Sequence, residues 1–182
     1  MKTRTAILFG ATGLVGGHVL NQLLDNDQYD KIISFGRRKT ANNHDKLTEE
    51  VVDFEKWELW KHKIKGDDLF CCLGTTRAKS GKEGFYKVDF TYCYNAAKYA
   101  EENGVSQFLL ISAIGADPDS LFFYSKTKGQ LEKAVAQMNF KAIHYLQPSL
   151  LLGNRDEQRT GEKLAEKMAD IFYTFAENTL TQ

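Results

Sequence analysis

A chain of 182 residues with 42% hydrophobic and 12% aromatic content fills one core and predicts a single domain over residues 1–182. Its 24 basic and 24 acidic residues cancel, which argues against the basic face that nucleic-acid binding requires. The opening MKTRTAILFGATG has only a short apolar run before a glycine, and nowhere does an apolar run reach the roughly 18 residues of a membrane span. The expectation is a soluble, cytoplasmic protein with no signal peptide, no membrane partner and no nucleic-acid partner. Cys71, Cys72 and Cys93 are odd in number and lack metal-ligand spacing, as reduced, buried thiols would be. His18, His44, His62 and His144 are scattered, with no spacing suited to a metal or a triad.

Short apolar runs alternate with helical patterns along the chain. TAILF (5–9) reads as a buried strand, and the Leu14, Val15, Val19, Leu20, Leu23 and Leu24 stripe as a helix. KIISF (31–35) and EVVDF (50–54) read as the second and third strands. DLFCCLG (68–74) is apolar on both faces, as a central parallel strand covered by helices must be. A helix over 84–103 ends at Asn103-Gly104, a left-handed stop. QFLLIS (107–112) is the fifth strand, 121–138 a helix, and KAIHYLQ (141–147) a sixth strand ended by Pro148. This order predicts an α/β fold with a doubly wound parallel sheet.

Gly10-Ala11-Thr12-Gly13-Leu14-Val15-Gly16 lies between the first strand and the first helix. Glycines there let the backbone turn tightly and approach a pyrophosphate that the helix N-terminus stabilises, which makes this segment a dinucleotide site rather than an ordinary Gly-rich turn. An acid that would accept ribose hydroxyls is missing after the second strand, since Asp25, Asp27 and Asp30 precede it. Arg37 and Arg38 stand there instead, and guanidinium suits the 2'-phosphate of NADP, although a solvated basic loop reads the same way. Asp53 and Phe54 after the third strand suit either an adenine contact beside an apolar wall or a cap on FEKWELW. Trp57 and Trp60 read as packing residues.

YSKTK (124–128) and YNAAK (94–98) share one spacing, and chance alone yields about one Tyr-x-x-x-Lys in such a chain. Place distinguishes them. Tyr94 and Lys98 fall in mid-helix, far past the fourth strand, whereas Tyr124 and Lys128 begin the helix after a strand that ends in Ser112. Ligands sit beyond the carboxyl ends of such strands. A phenol with an ordinary pKa near 10 needs roughly 4 kcal/mol of preferential phenolate stabilisation to work near pH 7. Lys128, with an oxidised nicotinamide, is placed to supply it, while Ser112 holds a substrate oxygen. The plainer alternative is a packing tyrosine and a solvated lysine.

The segments FGATGLVG, GRRK, EVVDFEKW, FCCLGTTR, KEGFYKVD, SAIGADPDSLFFYSKTKGQLE and PSLLLGNRDEQRTGE together resemble the atypical short-chain dehydrogenase/reductases of the Tat-interacting-protein oxidoreductase group and its small bacterial NAD(P)H-binding relatives. The resemblance implies a Rossmann-like fold with NADPH held by Gly10, Thr12, Gly13, Leu14, Gly16, Arg37 and Arg38. It also implies Leu73, Gly74 and Thr75 under the cofactor, Lys128 on the nicotinamide ribose, and the backbone after Pro148 against the nicotinamide. Gln147-Pro148 replaces the Arg-Pro common in such chains, and relatives continue well past position 182. The C-terminal stretch EKLAEKMADIFYTFAENTLTQ reads as an amphipathic helix whose apolar face suits a homo-oligomer contact. Three functions follow: an NADPH-dependent reductase of a small carbonyl substrate through Ser112, Tyr124 and Lys128; a non-catalytic NADPH-binding regulatory or interaction protein; and a nucleotide-sugar epimerase or dehydratase, which needs a C-terminal substrate domain.

Overall fold

The computed structural model describes residues 3–149; the C-terminal helix expected from sequence lies outside them. Six strands, β1 (Arg4–Phe9), β2 (Tyr29–Gly36), β3 (Leu47–Val51), β4 (Asp68–Cys71), β5 (Gln107–Ile111) and β6 (Ala142–Leu146), form one sheet in the order β3-β2-β1-β4-β5-β6. Every pairing is parallel. The order reverses between β1 and β4, so the crevice beyond their carboxyl ends is the topological switch point at which such sheets take ligands.

Alternation along each strand divides the core in two. Ala6, Leu8, Ile32, Phe70 and Leu109 face helix α1 (Leu14–Asp25) with its Val19, Leu20, Leu23 and Leu24. Ile7, Phe9, Phe35, Leu69, Phe108 and Leu110 face the other way, against α3 (Cys93–Glu102), α4 (Phe123–Val135) and an aromatic cluster. In that cluster the Trp57 and Trp60 rings lie 4.4 Å apart, with Phe9 stacked 5.1 Å from Phe35, which confirms the two tryptophans as packing residues. Burying each such ring contributes on the order of 2–3 kcal/mol.

Several boundaries differ from the sequence expectation for local reasons. The third strand is Leu47–Val51 rather than 50–54, because Val52 N–H donates to Gly36 O at 2.9 Å and the chain then turns at Asp53. As an edge strand it exposes Thr48 and Val51 and lacks the apolar alternation that marks inner strands. The fourth strand stops at Cys71 because β1 turns away at Gly10; Cys72 N–H to Phe9 O, at 2.9 Å, is the last rung. The single helix expected over 84–103 is three pieces: α2 (Arg77–Tyr86), broken at Gly81 (φ 68°), a wide π-helical turn at Lys87–Tyr92, and α3. Among the described residues no helix is long and apolar enough to cross a membrane.

At the amino edge the buried Asp68 carboxylate forms an ion pair with Arg4 and accepts the Tyr29 hydroxyl at 2.9 Å, tying β4 to β1 and β2. Asp68→Ala leaves both donors facing a cavity. It is expected to reduce stability by about 2–3 kcal/mol, discounted because Arg4 keeps some contact with water. Tyr29→Phe should cost about 1 kcal/mol. Urea unfolding of the two variants checks both values.

Candidate functional site

At the carboxyl edge β1 is followed by Gly10, whose φ of 89° only glycine adopts without strain. A Cβ on Gly10 would meet Cys72 O at 2.6 Å, and one on Gly16 would meet Gly10 O at 2.1 Å. Helix α1 therefore seats directly on the turn. Gly13 N–H donates to Gly10 O at 2.9 Å and closes that turn. Gly13 is the N-cap and offers no side chain to the first amides of the helix, which are left for an anion. A dinucleotide pyrophosphate fits this backbone cradle. Thr12 and Leu14 beside it are exposed, and so are Arg37 and Arg38 at the end of β2.

Asp53 and Phe54 are engaged locally. Asp53 Oδ1 accepts the Glu55 amide at 2.9 Å and the other oxygen lies 3.8 Å from Lys56 Nζ, a local turn contact and not a helix cap, since the helical turn Trp57–Leu59 begins after Lys56 with no side-chain cap. The Phe54 ring is buried between Trp57, at 5.5 Å, and Tyr92, at 5.1 Å, so it serves the core.

Beyond β4 the Leu73-Gly74-Thr75 loop runs beside Gly10. The Thr75 amide donates to Asp89 Oδ2 at 2.8 Å. Asp89, in the π-helical turn, is 2% exposed, and its Oδ1 stands 3.0 Å from Lys128 Nζ. Lys128, 4% exposed, also donates to Ile111 O at 3.3 Å, the last residue of β5 before Ser112. Tyr124 opens α4 one turn earlier, 37% exposed, with its ring 5.6 Å from Phe85. α4 approaches so closely that a Cβ on Gly129 would lie 2.2 Å from the Asp117 backbone, and Ser125 O accepts the Asp117 amide at 3.1 Å. The Ser112 hydroxyl is buried with no hydrogen-bond partner among the described residues. Pro148 O accepts the Ile114 amide at 2.8 Å, bringing the end of β6 to the same edge, while Gln147 Nε2 donates to Glu132 Oε1 at 2.9 Å.

Charge at the site is nearly balanced. Burial works against the Lys128 ammonium, but the Asp89 carboxylate beside it leaves its pKa raised overall. Burial also pushes the Tyr124 phenol above the ordinary value; Lys128 opposes the shift and Asp89 adds to it. Protein groups alone thus do not lower this phenol, contrary to what a free lysine would do.

Gly10, Gly13, Gly16, the Leu73–Thr75 loop, Ser112, Lys128 and Pro148 therefore share one edge of the sheet with Tyr124 at its rim. Tyr94 and Lys98 do not: Tyr94 stacks on Phe90 at 6.0 Å and Lys98 pairs with Glu102 at 3.9 Å on the outer helix. Sequence reasoning missed Asp89. Its signal was a lone acid within the aromatic-rich run FYKVDFTY.

Comparison with known proteins agrees with this geometry. A family profile described as NAD(P)H-binding matches residues 10–152. Protein HTATIP2 of Rattus norvegicus is 37% identical over 171 residues, covering 92% of this chain and 71% of the relative. Protein FMP52 of Candida albicans, named as mitochondrial, is 36% identical over 173 residues, covering 91% of this chain and 76% of the relative. Among solved structures, the Bordetella bronchiseptica enzyme WbmH in complex with NAD+ superposes with a TM-score of 0.68 at 15% identity, over 80% of this chain and 57% of that one. MoeE5 in complex with UDP-glucose and NAD gives a TM-score of 0.65 at 16% identity, over 79% of this chain and 53% of that one. The chain thus spans somewhat over half the length of these structures, and at such identities the likeness is one of fold.

The cradle makes a direct prediction. Gly16→Ala drives a methyl group into the Gly10 carbonyl, and relief requires α1 to move off the turn. Nicotinamide dinucleotide affinity, measured by calorimetric titration, should fall at least about tenfold, or 1.4 kcal/mol.

Proposed function

The chain belongs to the NAD(P)H-binding family, and from that premise we propose that it is an NADPH-dependent oxidoreductase that reduces a small carbonyl compound through Ser112, Tyr124 and Lys128. The observation that carries this reading is the Ser112 hydroxyl, buried just past the end of β5 with no hydrogen-bond partner among the described residues. A carbonyl oxygen at that edge supplies the missing hydrogen bond, and a buried donor left unpaired costs about 1–3 kcal/mol. When bound, NADPH would supply the hydride that reduces the carbonyl carbon. Ser112 orients the carbonyl oxygen, Tyr124 gives that oxygen its phenolic proton, and Lys128 stabilises the phenolate left behind. The exposed edge of Tyr124 lets solvent return the proton.

Preference for the 2'-phosphorylated cofactor is supported by Arg37 and Arg38, both exposed at the end of β2 and outside every salt bridge among the described residues. Their planar donors match a phosphate. The three free cysteines support a reducing, cytosolic setting.

One observation favours a second reading. The Asp89 carboxylate, 3.0 Å from Lys128 Nζ, offsets the cation that would stabilise a phenolate, which suits a protein that holds NADPH and signals its occupancy without turnover. Tight NADPH binding with no oxidation across a broad carbonyl panel would decide for it.

Two measurements test the leading reading. With a carbonyl substrate found by screening, Tyr124→Phe should lower kcat by about 10²–10⁴-fold; an unchanged kcat rejects the assignment. Arg37→Ala combined with Arg38→Ala should cut the preference for NADPH over NADH by about tenfold or more, the loss of a charge-assisted hydrogen bond worth about 1.5–3 kcal/mol. Relative stabilisation in thermal melts with each cofactor reports it.

A further inference from the structure

We propose that Phe85 is a positioning residue for Tyr124, whose buried ring backs the phenol at the start of α4 and selects the orientation in which its hydroxyl meets a carbonyl oxygen held by Ser112. The inference rests on the oxidoreductase reading and adds the side chain that aims its proton donor.

Tyr124 is the second residue of α4, partly exposed, and its hydroxyl joins no hydrogen bond among the described residues. A phenol so placed keeps more than one staggered rotamer, and no polar partner chooses between them. A ring contact does. The Phe85 and Tyr124 centroids lie 5.6 Å apart with the planes at 41°, within the range over which aromatic pairs attract. Phe85 is 1% exposed, yet it belongs to neither half of the core that packs on the sheet. Among the described residues its ring partners are Tyr124 and, at 5.9 Å, Phe123. A fully buried aromatic ring is thus committed to the first two residues of α4.

The build of α2 brings Phe85 to this place. Gly81 breaks the helix at φ 68°, so residues 82–86 take a direction of their own after the Leu73–Thr75 loop and the first turn. Gly84 then seats on Ser80, where a Cβ would lie 2.9 Å from the Ser80 side chain. Lys82 shares a helix face with Phe85, and its ammonium stands 4.9 Å from the centre of the Phe123 ring. Two side chains of α2 therefore hold adjacent residues of α4. Such a hold matters for chemistry because a proton donor must come within about 2.6–3.2 Å of the oxygen it serves. A displacement of about 1 Å costs on the order of 10²-fold in rate.

The test compares the full chain with Phe85→Leu, which keeps much of the apolar volume and removes the flat ring. Order of the Tyr124 ring is read by 13C relaxation of ε-labelled tyrosine, with the resonance assigned from Tyr124→Phe. The order parameter is expected to fall from about 0.85 to below about 0.6, and an unchanged value in folded Phe85→Leu overturns the proposal. With a carbonyl substrate, kcat should fall about tenfold or more while KM and NADPH affinity stay within about twofold. Unchanged kcat, with or without a raised KM, overturns the positioning role. In the Tyr124→Phe background Phe85→Leu should cost nothing further, because the group it aims is gone. An equal further loss there marks a merely structural role and overturns the proposal. Where Phe85→Leu does not fold, Phe85→Met carries the same comparisons. The relaxation arm needs no turnover. Absence of carbonyl reduction therefore rejects the oxidoreductase reading alone, and an unmoved Tyr124 ring in an active enzyme rejects the role of Phe85 alone.

Discussion

The carboxyl edge depends on how closely the backbone at Gly10 is approached from two sides. Neither the β4 chain at Cys72 nor helix α1 at Gly16 leaves space for a side chain there. That contact sets the start of α1 against the end of β1 and holds the chain after β4 alongside the turn. The Leu73–Thr75 loop then lies where the Asp89 carboxylate can reach its amide, and Asp89 in turn meets Lys128, which reaches across to the end of β5. Each link is one hydrogen bond or ion pair long, so the geometry passes from β1 to Ser112 through a short series of direct contacts. The register Phe9↔Cys71 and Cys71↔Leu110 aligns the strand ends from which this series starts and finishes.

The sheet carries a buried carboxylate at each end, and the two are answered differently. Asp68 at the amino edge meets a guanidinium and a phenol. Asp89 at the carboxyl edge meets an ammonium and a backbone amide. Arginine keeps its charge at any physiological pH and its planar fork suits a permanent tie, whereas lysine is a compact charge whose protonation responds to its surroundings. The amino edge is built as a fixed fastening. The carboxyl edge holds groups whose protonation can take part in chemistry.

Much of this was legible in the sequence because the signals were local. The short apolar run TAILF and double-faced apolarity in DLFCC marked β1 and β4, and position after a strand separated Tyr124 and Lys128 from the equally spaced Tyr94 and Lys98. The glycines of GATGLVG were legible as a tight turn and helix entry because Gly10 and Gly16 each answer a backbone requirement at their own positions. The third strand was displaced because an edge strand needs little apolar alternation and its end is fixed by a rung to Gly36 on β2. Asp53 was left undecided between two roles, and its carboxylate bonds the Glu55 amide two residues on. Asp89 was invisible for a different reason. Its partners lie fourteen residues before it, at Thr75, and on a different helix, at Lys128, so only the folded chain brings them together.

The π-helical turn at Lys87–Tyr92 has a consequence for how this helix can vary. A regular helix is in phase from end to end, so any change that rotates one face rotates all of it. A turn holding one extra residue breaks that phase. The part after it can keep Ala96, Ala97 and Ala100 against the sheet. The part before it is free to be set by the site. The two halves thereby present separately phased faces along one continuous helix: the half after the turn is set by the sheet it packs on, and the half before it by the loop and site it borders.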